Sequence, residues 1–175
     1  IERRTDFAQI AASNVDSWFG RHHPAWELRT GDFAEVTSAH VSDASVDRVV
    51  LDMLAPWENV AEGARVLVPG GVFLAYVATT TQLSRTVEAL RHSGLFTEPT
   101  SWETMVRTWN VDGLSVRPDH TMVAHTGFLL TARRLAAGST PLTRKRPPAR
   151  GAYDEGGYWL PEDVKERTST DRKVR

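Results

Sequence analysis

Three carboxylates in this sequence, Glu2, Asp32 and Asp52, each stand where an extended stretch gives way to a turn or helix-like pattern. Asp52 closes the apolar run Val49-Val50-Leu51 and is followed at once by Met53-Leu54-Ala55-Pro56-Trp57-Glu58. A carboxylate at the C-terminal end of a buried parallel strand, ahead of a proline-fixed turn, faces the crevice where open α/β sheets bind ligands. Taken by itself, Asp52 has a plainer role as the cap of a helix beginning near Trp57. Glu2 stands where a strand would end before the first helix, the position from which an acidic side chain accepts hydrogen bonds from ribose hydroxyls in nucleotide-binding α/β folds. Its plainer role is a surface carboxylate favoured by the helix macrodipole. Asp32, directly after Gly31, can meet an adenine amino group beside that ribose, or serve as an ordinary turn aspartate. Because the three end successive extended segments, they are expected along one rim of one sheet, where they suit a nucleoside-containing ligand.

The elements that would position these groups follow from the hydrophobic pattern. Phe7, Ile10, Ala11, Val15 and Trp18 recur at helical spacing and Gly20 supplies a stop, so residues 4–19 read as an amphipathic helix. Residues 26–30 read as a short extended segment, and 33–45 as a loop with one irregular turn. Residues 47–52 form a near-continuous apolar strand, as expected when both sheet faces are covered. Residues 57–67 have helical character, Pro69-Gly70-Gly71 reads as a turn, and 72–77 as the next strand. Leu83, Val87 and Leu90 mark a further helix closed by Gly94. This alternation implies parallel pairing through right-handed crossovers. Residues 101–111 and 123–133 then read as strands of an antiparallel edge, separated by the polar stretch 112–120. Residues 1–136 are thus assigned to one α/β domain and 137–175 to a basic, Pro- and Gly-containing tail.

Composition narrows the function classes. The chain has 175 residues, 41% of them hydrophobic, and a formal net charge of −1, which suits one soluble domain plus a tail and excludes a globally polycationic nucleic-acid binder. Cysteine is absent, so thiolate nucleophiles, disulfides and cysteine-based metal sites are excluded, and a cytoplasmic location is expected. No apolar run approaches the roughly 18 residues of a membrane span. His22, His23, His40, His92, His120 and His125 lack ligand spacing, so no metal is expected, and no Gly-x-Ser-x-Gly elbow occurs. Arg144-Lys145-Arg146, Arg150, Arg172-Lys173 and Arg175, interleaved with Tyr153, Tyr158 and Trp159, could hold phosphates and stack bases. A solvated tail is the more common outcome of such composition, and Asp154, Glu155, Glu162 and Asp163 dilute its charge. Gly70-Gly71 precedes a strand rather than opening a helix, so it is no phosphate loop.

Several stretches together resemble the bacterial and archaeal tRNA (adenine-N1)-methyltransferases that modify position 58 of the T loop, above all the actinobacterial members. They are Glu2-Arg3-Arg4-Thr5-Asp6-Phe7-Ala8 with Asn14-Val15, Gly31-Asp32, the run from Val46 through Asp52 to Glu58, and Tyr76-Val77-Ala78-Thr79 with Gln82-Leu83. Trp109-Asn110-Val111, Val116-Arg117-Pro118, His120, Met122 and His125-Thr126-Gly127-Phe128-Leu129 complete the set, covering residues 1 to about 135 in order. The resemblance implies a Rossmann-like fold, S-adenosylmethionine as methyl donor, tRNA as partner and a homotetramer. By position it implies that Glu2 takes the ribose hydroxyls, Asp32 the adenine amino group and Phe7 a wall of the cofactor pocket. Asp52 would contact both cofactor pocket and target adenine, and Tyr76 would line the target-base pocket; a core tyrosine with a satisfied hydroxyl is the competing role. Arg117, His125 and the tail are candidates for contacting RNA.

The sequence also departs from that family. Its small N-terminal β domain and glycine-rich first loop do not occur here, and Ala124 stands where many relatives carry glycine. With the abrupt start at Ile1, this predicts a preceding N-terminal portion and weak donor binding by residues 1–175 alone. Two other functions stay open: methylation of a protein or small molecule, and a non-catalytic RNA-binding or assembly fragment.

Overall fold

The computed structural model describes residues 1–124 and 126–141. Its centre is a four-stranded sheet in the order β1-β2-β8-β3, built from β1 (Val46–Asp52), β2 (Leu67–Val77), β8 (Phe128–Arg133) and β3 (Thr100–Trp102). β1 and β2 are parallel, while β8 is antiparallel to both β2 and β3, so the sheet is mixed with its antiparallel part at the C-terminal side. Two ribbons stand apart from it: β4 (Met105–Val106) with β7 (Val123–Ala124), and β5 (Trp109–Asp112) with β6 (Ser115–Pro118).

One sheet face carries the core. Val49 and Leu51 of β1 align with Phe73 and Ala75 of β2, and these with Ala132 and Leu130 of β8; all are buried. The helix α4 (Thr80–Ser93) and the short α3 (Val60–Val66) cover this face through Leu90, Ala89, Ala64 and Val60. Gly63 lets α3 approach closely, since a Cβ there would lie 2.8 Å from the buried Phe73 ring. α1 (Thr5–Phe19) and α4 both end on left-handed glycines, Gly20 and Gly94, as their stop positions predict.

Four local readings change. Residues 33–40 form a helix, α2 (Phe33–His40), rather than a loop, because Asp32 caps it by accepting from the Ala34 N–H at 2.9 Å. Residues 57–67 divide into a 3-10 turn (Pro56–Asn59) and α3. Pro69-Gly70-Gly71 lies inside β2 as a bulge: Val46 pairs with Leu67 but Arg48 with Val72. Gly70 has φ +82°, and a Cβ on Gly71 would sit 2.8 Å from the Val68 carbonyl, so the excursion needs both glycines. Finally, the polar stretch 112–120 contains β6, and 101–111 with 123–133 break into five short strands instead of one pair.

α2 is fastened to α3 by Arg65. Its guanidinium donates to the Thr37 and Val41 carbonyls, each at 3.0 Å, which occupies acceptors at the helix end, and it pairs with Glu62 and Asp43 at 2.6 and 2.5 Å. The Arg65 hydrogen bond, helped by the Thr37 hydroxyl and opposed by burial, holds the Glu62 carboxyl below the usual glutamate range. A depressed folded-state value means that the stabilisation is present above the unfolded value and disappears as pH falls through the folded one. Glu62→Gln should therefore destabilise the fold near neutrality, and the gap from wild type should close on acidification below about pH 4. Urea unfolding at stepped pH measures this; a gap constant from pH 7 to 3 would contradict it.

Candidate active site

The opposite sheet face is open. Asp52 aligns with Tyr76, Tyr76 with Leu129, and Leu129 with Trp102, so these four side chains form one row across the C-terminal end of β2. Neighbouring strands lie about 4.8 Å apart, which places the carboxylate one strand from the phenol. Tyr76 is half-buried and faces a cavity of about 480 Å³ lined by Thr104, Val106, Val123, Ala124, Gly127 and Leu129. The wall is mainly apolar, with a hydroxyl from Thr104 and the Tyr76 ring, a combination suited to a planar heterocycle with few polar edges.

Asp52 does not cap the following helix: Ala55 occupies that position, and no side chain bonds to the first turn. Its carboxylate is exposed and makes no hydrogen bond or ion pair among the described residues. The chain just after it is pinned instead. Asn59 Nδ2 contacts Met53 Sδ at 3.2 Å, Gln82 Nε2 donates to the Leu54 carbonyl at 2.9 Å, and the Arg85 guanidinium lies 4.3 Å above the centre of the Trp57 ring. The acceptor is thus held on a fixed frame while its oxygens face outward.

Glu2 and Asp32 come together elsewhere. Glu2 forms a parallel bridge with Thr30, its N–H donating to the Arg29 carbonyl and its carbonyl accepting from Gly31 N–H, both at 3.0 Å. The extended segment 26–30 therefore pairs at one residue only, and this bridge is not part of the four-stranded sheet. The expectation of three carboxylates on one hydrogen-bonded sheet is corrected to a pair and a single. Glu2 Oε1 accepts the Arg4 N–H at 2.8 Å, and Asp32 Oδ1 takes that of Ala34. Each acid spends one oxygen on a local backbone N–H, Glu2 on that of the residue preceding α1 and Asp32 as the cap of α2. The second oxygen of each has no hydrogen bond among the described residues and fits a ribose diol or an amino group. Phe7 lies in the first turn of α1, with the Arg4 guanidinium 4.2 Å from its ring centre. The donor set thus suits the adenosine half of S-adenosylmethionine: acceptors for its hydroxyls and amine, with an aromatic ring nearby.

Arg117 lies on the β5–β6 ribbon, exposed and opposite Asn110, rather than in the cavity. His125 and the basic cluster of the tail lie outside the described residues. Among the described residues no metal-holding group of His, Asp or Glu occurs, and no helix is long and apolar enough to cross a membrane. Val106 and Val123 escaped sequence reasoning because the two-residue strands that carry them leave no periodicity to read, and Thr104 because it lies between strands; Leu129 stands in the family resemblance without a role.

The fold is that of the S-adenosylmethionine-dependent methyltransferases. An S-adenosylmethionine-dependent O-methyltransferase from Thermotoga maritima superposes with a TM-score of 0.62 and 27% identity, over 77% of this chain and 48% of the other. A tRNA (m1A58) methyltransferase, TrmI, from Aquifex aeolicus shares the fold at the same TM-score and 22% identity, over 77% and 52%. The chain belongs to the family of the tRNA methyltransferase complex GCD14 subunit, whose profile matches residues 29–117. It is 33% identical over 95 residues to a tRNA (adenine(57)-N(1)/adenine(58)-N(1))-methyltransferase of Methanocaldococcus jannaschii, covering 53% of this chain and 33% of that protein. With the tRNA (adenine(58)-N(1))-methyltransferase of Thermus thermophilus it shares 29% over 114 residues, 64% of this chain and 44% of the relative. The chain thus spans between a third and a half of the length of these relatives.

Gly127 governs the cavity wall. A Cβ on it would stand 2.1 to 2.3 Å from the Tyr76 ring and hydroxyl, so only glycine admits the observed ring position. Gly127→Ala should displace the Tyr76 ring and cost about 1–3 kcal/mol of stability. Tyrosine-labelled NMR together with urea unfolding checks this; an unshifted Tyr76 resonance would refute it.

Proposed function

We propose that this chain is the catalytic part of an enzyme that transfers the methyl group of S-adenosylmethionine to N1 of adenine 58 in the tRNA T loop. One observation carries the reading: a carboxylate without a partner among the described residues, on a pinned frame, one strand from a tyrosine that walls an apolar cavity. The names of the relatives from Methanocaldococcus and Thermus support the same substrate.

When bound, S-adenosylmethionine supplies an electrophilic methyl carbon on a sulfonium, and the electron pair of the broken C–S bond stays on sulfur. Glu2 and Asp32 hold the adenosine hydroxyls and amine, with Phe7 beside them. Adenine N1 already carries an in-plane lone pair, so no proton has to be removed before attack, and the protein's task is placement and exclusion of water. The Asp52 carboxylate accepts the N6–H of the target adenine. Guanine offers a carbonyl at that point, which repels a carboxylate and sets the selectivity. As N1 gains its methyl the ring becomes cationic, and the fixed negative charge of Asp52 stabilises that change. Tyr76, Val106, Val123 and Leu129 take the flipped base out of water, while Arg117, His125 and the 137–175 tail contact surrounding RNA.

Methylation of tRNA by wild type, Asp52→Asn and Asp52→Ala tests this. Asn still accepts a hydrogen bond but carries no charge, so kcat should fall in the order wild type, Asn, Ala, with a loss of at least about 100-fold for Ala. Replacing adenine 58 by guanine in the transcript should abolish the product. Equal rates in all three proteins would remove Asp52 from the mechanism, and methylation of a protein or small molecule instead of tRNA would overturn the substrate.

Self-association into a homotetramer belongs to the same proposal. The β5–β6 ribbon is two-faced: Trp109, Val111, Val116 and Pro118 share one side, and the first three are exposed. A two-stranded ribbon is marginal alone, and an apolar side of this kind is suited to burial against another copy. Sedimentation should show a tetramer that Trp109→Glu shifts to smaller species; a wild-type monomer at micromolar concentration would end the idea.

A further inference from the structure

We infer that Gln82 is a positioning residue for Asp52, fastening the loop that leaves the β1 carboxylate to the first turn of α4. The inference deepens the functional reading above and rests on it for its catalytic consequence. Gln82 uses both ends of its amide. Its Oε1 accepts from the backbone N–H of Ala78 and Thr79 at 3.1 and 3.0 Å and from the Thr79 hydroxyl at 3.1 Å, completing a capping box with the Thr79 side chain. Its Nε2 reaches across to the Leu54 carbonyl, 28 residues away, at 2.9 Å. A cap needs only the oxygen. The nitrogen is therefore surplus to helix formation, and it is spent on the second residue after Asp52. The same helix turn follows β2 directly after Tyr76-Val77, so one amide joins the two strand ends that carry the carboxylate and the phenol. Of the other pins, one holds Met53 through Asn59 and one holds Trp57 through Arg85, whereas Gln82 ties this loop to the turn that follows β2.

Glu at this position separates the two roles. A carboxylate keeps the acceptor oxygens of the capping box and suits a helix N-terminus, so α4 and the melting temperature should stay near wild type. It has no N–H for Leu54 and repels that carbonyl. In Gln82→Glu, hydrogen exchange of the 53–55 amides should quicken about tenfold while that of residues 83–90 stays unchanged. On tRNA, kcat should fall about tenfold or more with KM for S-adenosylmethionine within about twofold, since displaced acceptors cost rate rather than donor binding. Unchanged exchange at 53–55 overturns the latch. Faster exchange with wild-type kcat overturns positioning and leaves Gln82 a structural tie. A wild-type chain that leaves tRNA unmethylated overturns the functional reading and the catalytic consequence with it, and the exchange measurement on that chain still accepts or rejects the latch.

Discussion

The parallel register of β1 on β2 is the constraint from which the rest of this structure follows. Because side chains alternate across a strand, the register that buries Val49 and Leu51 against Phe73 and Ala75 also puts Asp52 beside Tyr76 on the other face. A slip of one residue would bury the carboxylate and expose the core. Hydrophobic burial on one face, which costs nothing in specificity for a ligand, thereby fixes the polar geometry on the other. β8 extends the same alternation: Leu130 and Ala132 enter the core, and Leu129 joins the Asp52–Tyr76 row.

The frame around Asp52 shows where stability is concentrated and where it is withheld. Backbone and side chains after it are tied to Asn59, Gln82 and Arg85, whereas its own oxygens are left to solvent. A carboxylate already paired with a cation or capping a helix would have to give up that partner before accepting an N–H from a ligand. An acceptor oriented by its neighbours avoids that cost, because its reorganisation was completed on folding. Arg85 illustrates the division: its guanidinium stacks on Trp57, and among the described residues it forms no ion pair with Asp52.

Much of this was legible in the sequence, for identifiable reasons. Strong signals survived: the apolar run into Asp52, the helical spacing after Phe7, and the glycine stops at Gly20 and Gly94. α2 was missed although Asp32 and Glu35 have the three-residue spacing of a capping box, because Phe33 and Val36 alone make a weak apolar face over eight residues. Pro69-Gly70-Gly71 signals a break in chain direction, and the chain does break there, but the carbonyl and N–H of Gly71 and Gly70 find Arg134 across the sheet, so the strand resumes as a bulge. The cavity was illegible because its far wall comes from β4 and β7, whose two residues apiece encode no period.

The strand end at Asp52 is advertised by the apolar run before it, and Tyr76 is singled out by the family resemblance alone, whereas the cavity that Tyr76 lines depends on a single glycine. Gly127 is buried, and its missing side chain is the space that the Tyr76 ring occupies. A tyrosine standing at the end of a central strand would otherwise be expected to lie along the sheet and cover its neighbours. Here the ring is received by backbone, and the space beyond it stays open between Leu129 and the β4–β7 ribbon. Site shape in this protein is thus set less by the residues that would touch a ligand than by the one that withdraws to let Tyr76 do so. The same logic applies to Gln82 and the Leu54 carbonyl: under the proposed function the chemistry would fall to Asp52, and its placement to the amide that ties down the loop after it.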